Sequence, residues 1–140
     1  MGAVVDTGIF IAHERRGSSA LVLRAGLTNI SPPESFVVSC ISLAELVHGI
    51  YRAKTSEQYA KRYTFVREVS SAFPVLSFTE DTAWIAGRIR GEQAKAGNTL
   101  PFADSLIAAV AIELDYGVVT LNVRDFVRIP GIRVIPFAMP

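Results

Sequence analysis

The chain has 140 residues, half of them hydrophobic, with 14 Lys and Arg against 13 Asp and Glu. That length suits one domain with a real core, and the apolar content excludes a disordered segment. A net charge of +1 lacks the basic footprint of an architectural nucleic-acid binder, and no apolar run reaches the ~18 residues that would suggest a membrane span.

The start, Met1-Gly2-Ala3-Val4-Val5-Asp6, has no basic region and meets an acid at once, so no secretory signal is expected. The single cysteine, Cys40, excludes an intramolecular disulfide and fits a reducing cytoplasm; its neighbours Phe36, Val37 and Val38 make it an expected core residue. Together these features lead us to expect a cytoplasmic protein.

In chain order, Ala3–Val5 reads as a buried strand and Thr7–Arg16 as a helix. Ser18–Leu27 reads as a second helix, closed by a loop at Pro32 and Pro33. Phe36–Cys40 is the second expected strand, followed by helices over Leu43–Arg52 and Glu57–Ser70. Pro74 breaks the chain before a short strand at Val75-Leu76. A helix is expected over Asp81–Lys95, ended by Ala96-Gly97-Asn98. Asp104–Asp115, rich in Ala, Leu and Ile, reads as a buried helix. Val118–Leu121 and Arg133–Ile135 are the last two strands. Strands alternating with helices predict an α/β domain with a parallel sheet, spanning residues 1–140 as one unit. There is no repeat, low-complexity tract or linker.

In open parallel sheets, ligand sites form at the carboxyl ends of the strands. Asp6 directly follows the first strand, and Glu45 is expected in the first turn of the helix after the second. Asp125 lies beyond the Val118–Leu121 strand, and Asp104 opens the most apolar helix. Each acid alone has a structural explanation. Asp6 or Thr7 suits a helix N-cap, Ser42-Leu43-Ala44-Glu45 spells a capping box, Asp104 favours a helix dipole, and Asp125 suits a turn. Gathered on one rim, however, two such charges roughly 4 Å apart repel by about 4 kcal/mol at an effective dielectric of about 20. A cation or a proton must offset that repulsion, and magnesium, a hard ion that takes carboxylate oxygens and keeps reactive waters, suits the set. With those four acids held by metal, nine remain against 14 cations, a surplus of +5 available to phosphates or to a solvated surface.

Other motifs are weaker or missing. His13 and His48 lack paired metal-ligand spacing and read as surface or packing residues. No Gly-x-Ser-x-Gly elbow, Gly-x-Gly-x-x-Gly or phosphate-binding loop is present. Arg52, Lys54, Lys61 and Arg62 either line a path for a phosphate-bearing polymer or form the wet face of two helices.

The sequence resembles the PIN-domain ribonucleases, and specifically the VapC-type toxins of bacterial toxin–antitoxin pairs. The likeness rests on Val4-Val5-Asp6-Thr7, on Ser39 through Gly49, on Phe102-Ala103-Asp104-Ser105-Leu106-Ile107-Ala108-Ala109, and on Thr120 through Phe126. The ending Arg128-Ile129-Pro130-Gly131-Ile132-Arg133-Val134 adds to it. Each motif is weak singly, but four in order and spacing over nearly the whole chain are specific. The resemblance implies a three-layer α/β/α fold, magnesium or manganese in an acidic pocket, and endonucleolytic cleavage of RNA by a metal-activated water. Asp6 and Asp104 would be the principal ligands, Glu45 and Asp125 would complete the pocket, and Thr7 and Asn122 would orient carboxylates or a water. It further implies a homodimer and an antitoxin whose C-terminal segment wraps the toxin. Two other readings stay open: a stand-alone PIN nuclease that processes RNA, and a catalytically silent module holding a basic peptide.

Overall fold

The computed structural model describes residues 2–30 and 35–138. Five parallel strands form one sheet in the order β3-β2-β1-β4-β5, with β1 (Gly2–Val5) at its centre. Beside it lie β2 (Ser35–Ser39) and β4 (Gly117–Thr120), and the edges are β3 (Val75–Leu76) and β5 (Arg133–Pro136). Val4 pairs with Val37 on one side and Val118 on the other. Strands covered on both faces need apolar residues at every position, and β1 and β4 are buried throughout.

Helices α1 (Thr7–Arg15), α2 (Ala20–Ile30), α3 (Cys40–Tyr51) and α4 (Ser56–Ala72) belong to one side. There Ile9, Phe10, Leu23, Leu27, Leu46, Phe65 and Val69 pack with the strand residues Ala3, Val5, Val38 and Val119. On the other side, α5 (Glu80–Lys95), α6 (Phe102–Leu114) and the short α7 (Val123–Phe126) surround Val4, Val37 and Val118. Alternate strand residues thus feed opposite cores, the period-2 rule that makes three layers. α6 is central to the second core: Ser105 through Ala111 are all buried, so the Ala-rich composition reflects close packing rather than propensity alone. The expected three-layer α/β/α architecture is therefore present. Among the described residues, no helix is long and apolar enough to cross a membrane.

Several boundaries differ from the expectations. The strand expected over Phe36–Cys40 runs from Ser35 to Ser39, and Cys40 instead opens α3, half-buried rather than in the core. The strand expected to end at Leu121 ends at Thr120. The second helix starts at Ala20 and continues to Ile30; the loop expected at Pro32 and Pro33 lies outside the described residues. α5 starts one residue early because Thr79 and Thr82 form a reciprocal capping box. The four-residue α7 was not legible from its pattern, since a single helical turn has no periodicity to read.

Candidate active site

The chain moves from β1 to β2 through helices on one face and reaches β4 through helices on the other. The carboxyl ends of β1 and β4 therefore flank a point where connections diverge to opposite faces, the place where open α/β sheets leave a crevice. Asp6 stands there. Its backbone N–H donates to Val119 O at 2.9 Å, extending the β1–β4 ladder by one bond. Asp6 is the N-cap residue of α1, yet its carboxylate makes no capping bond. Instead Asp6 Oδ2 accepts a 2.8 Å hydrogen bond from Thr120 Oγ1. Thr120 in turn accepts the Asn122 backbone N–H at 2.8 Å, which leaves its own proton directed at Asp6. Burial raises the Asp6 pKa most; the Thr120 hydroxyl and the Thr7 amide oppose that rise, and Glu45 adds to it.

Glu45 comes from α3. The sequence suggests a capping box between Ser42 and Glu45, but α3 begins at Cys40 and its N-cap is Ser39, whose side chain accepts the Ile41 N–H at 3.1 Å. Glu45 is consequently in the second turn, not the first, and has no end-capping duty. Ser42 is wholly buried, and the Thr7 hydroxyl lies 2.7 Å from Ser42 Oγ and 2.8 Å from Glu45 Oε1, donating its one proton to one of them. This contact links α1 to α3 beside Asp6.

Asp104 lies in the first turn of α6, the helix that runs back along the sheet and so starts at its carboxyl edge. Its pKa is raised to about 6, first by burial and then by the charges of Asp6, Asp125 and Glu45. The four acids thus share one electrostatic site. Asp125 lies in α7 rather than in a turn; Asn122 Nδ2 donates to its Oδ2 at 2.9 Å, and Arg128 stands 3.8 Å from its Oδ1. Thr7 and Asn122, expected to orient carboxylates, each contact one. Thr120 performs the same task for Asp6 and was not singled out from the sequence, where a threonine ending a strand looks like any β-former.

The donor set is all oxygen, which fits a hard divalent ion. Among the described residues, no three acidic, histidine or cysteine side chains converge closely enough to enclose an ion by themselves. Such a set suits a hard divalent ion that retains waters able to bridge to more distant carboxylates.

The four basic candidates separate. Arg52, Lys54 and Arg62 line a cleft of about 390 Å³ between α1, α3 and α4 whose wall includes Glu45. Arg62 is committed within the fold, donating to Gly49 O at 2.7 Å and pairing with Glu14 at 3.6 Å. Lys61 does not line this cleft and pairs with Glu57 one turn earlier on α4, both side chains exposed. His48 is exposed, whereas His13 is buried against Phe137 with neither ring nitrogen hydrogen-bonded.

The PIN domain model matches residues 3–132. A protein of Rickettsia bellii named ribonuclease VapC is 36% identical over 135 residues, 96% of each chain. One of Salmonella typhimurium named tRNA(fMet)-specific endonuclease VapC is 37% identical over 95 residues, 68% of this chain and 72% of its own. The DNA-bound VapBC structure from Salmonella typhimurium superposes with a TM-score of 0.82 at 28% identity, covering 99% of both chains. With the sheet order and these matches in agreement, the chain belongs to the PIN domain family.

Proposed function

We propose that this single-domain protein is a divalent-metal-dependent RNA endonuclease and the toxin of a toxin–antitoxin pair. The observation that carries the reading is the setting of Asp104: besides burial, which raises its pKa most, the charges of Asp6, Asp125 and Glu45 all act on it, so acids from four separate places in the chain share one anionic site. The names of the Rickettsia and Salmonella relatives support ribonuclease activity, and the VapBC likeness supports a protein antitoxin as partner.

Asp6, Asp104, Glu45 and Asp125 would hold magnesium, with manganese as a substitute. The chemistry such an ion supplies when bound is charge compensation at the phosphodiester and acidification of water. The protein's own groups prepare the site. Thr120 fixes the Asp6 carboxylate, Thr7 steadies Glu45, and Asn122 with Arg128 aims Asp125. Preset orientation of this kind spares the site from reorganising when charge develops. Asp104 must release its proton before it can ligate, so ion affinity should weaken as pH falls below about 6. Arg52 and Lys54, in the cleft beside Glu45, would hold phosphates leading to the site.

A homodimer in the cytoplasm, with the antitoxin placing a basic side chain in the acidic pocket, completes the proposal. The direct test is cleavage of an RNA panel, including initiator transfer RNA, across a magnesium titration. Metal-dependent products that vanish on adding antitoxin are expected. Failure to cut any RNA with magnesium or manganese would overturn the nuclease reading.

A further inference from the structure

An acidic pocket repels a polyanion, so affinity for RNA must come from the rim around it. Phe102 opens α6 two residues before Asp104, so both belong to the helix end at the carboxyl edge of the sheet, with the Phe102 side chain on a different face of the helix from the Asp104 carboxylate. Phe102 is 58% exposed, although a phenyl group gains nothing from water. The ring is not loose: Arg90 Cζ of α5 lies 5.3 Å from its centroid. Ser105 Oγ donates to Phe102 O at 2.6 Å, fixing the backbone beneath it. Leu121, directly after Thr120 at the end of β4, is likewise exposed.

We propose that Phe102 and Arg90 form a stacking platform on the rim for an unpaired nucleobase flanking the cleavage site. Both groups are planar and accept the π-face of any base, and the guanidinium adds the positive charge that the pocket lacks. Bases in a duplex are already stacked on one another, so the platform selects single-stranded or looped RNA over stems. This inference rests on the ribonuclease reading, and it adds a contact that the four acids do not provide.

The test uses a single-stranded oligoribonucleotide carrying 2-aminopurine, added with magnesium to the full chain carrying Asp6→Asn so that the strand stays whole. Phe102 should quench the fluorescence on binding. Phe102→Leu should abolish the quench and weaken binding about five- to 150-fold, while Phe102→Tyr should keep both. Arg90→Gln should give a smaller loss, and a duplex of the same sequence should give no quench. In the enzyme with Asp6 intact, Phe102→Leu should raise KM and leave kcat within a few-fold.

Equal binding and quenching with and without the Phe102→Leu substitution, or no quench with the parental ring, would overturn the platform. So would a change of oligomeric state in light scattering at unchanged RNA affinity, which would assign Phe102 to a protein interface. Ring-dependent quenching without cleavage of any RNA by the parental enzyme would keep the platform and remove the nuclease reading. Cleavage with a KM indifferent to Phe102 would do the reverse.

Discussion

Asp104 is the residue at which the acids' mutual repulsion is most plainly expressed, and its consequences are measurable. Asp6→Asn or Asp104→Asn keeps side-chain shape and removes ligand charge, so either should abolish RNA cleavage without unfolding the protein. The linkage sign follows from the raised pKa of Asp104, about 6 against 3.8. The folded state holds that proton more tightly, so stability conferred by it is full at pH below 3.8 and declines until pH passes about 6. In metal-free protein Asp104→Asn should therefore raise Tm at pH 7–8, by about 3–5 °C for a screened effect on the order of 1 kcal/mol, and leave Tm near pH 4 almost unchanged. Thermal scans in chelator at the two pH values check this; an equal shift at both would point to packing instead of charge. His13 acts in the opposite direction. Burial chiefly, with Arg16, lowers its pKa, so protonation below pH 6.5 favours unfolding, and His13→Leu should flatten the loss of stability on the acid side.

At the scale of elements, α3 separates helix capping from chemistry. Ser39, buried at the end of β2, caps the helix, so Ser39→Ala should cost about 1 kcal/mol of stability in denaturant titration. Glu45 sits a turn further on and faces solvent beside Thr7. Glu45→Gln should leave stability unchanged within a few tenths of a kcal/mol, yet lower cleavage about 100-fold, the effect of losing a ~3 kcal/mol transition-state interaction. Parental rates for Glu45→Gln across a magnesium titration would remove Glu45 from the site. The short α7 has a comparable role, presenting Asp125 with Asn122 and Arg128 on either side of it. A turn of helix fixes the carboxylate's direction more firmly than the open loop that its sequence suggests.

Over the whole molecule, the site joins the two helical layers: Asp6 and Glu45 belong with α1 and α3, Asp104 and Asp125 with α6 and α7. An ion held between them should tie the two helical faces together. Magnesium should raise Tm of the parental protein in a concentration-dependent way, following the linkage of binding to folding, and should not raise that of Asp6→Asn. The surface also carries exposed apolar groups, Val47 and Tyr51 on α3, Tyr59 and Tyr63 on α4, and Trp84 on α5. Among them Tyr51, Tyr59 and Tyr63 lie ring against ring; an exposed apolar cluster of this kind marks an interface, and light scattering at high micromolar concentration should show a dimer. A monomer under those conditions would count against self-association.

The elements with strong periodicity were legible in the chain itself. β-branched runs such as Ala3-Val4-Val5 and the Ala- and Ile-rich Asp104–Asp115 segment carry their burial in their composition, and strand–helix alternation is enough to specify a parallel sheet. The order of the acids along the chain likewise placed each near a carboxyl end. Local sequence could not decide what Glu45 does, because Ser42 and Glu45 satisfy the capping pattern wherever the helix begins. Only the start of α3 at Cys40, set by the pairing of Val38 and Ser39 with β3, released Glu45 from that role. Thr120 and Asp6 are 114 positions apart, and their 2.8 Å hydrogen bond exists because β1 and β4 are neighbours in the sheet. Residue type and spacing determined which groups were available. Strand pairing, a long-range and cooperative property, decided which of them meet.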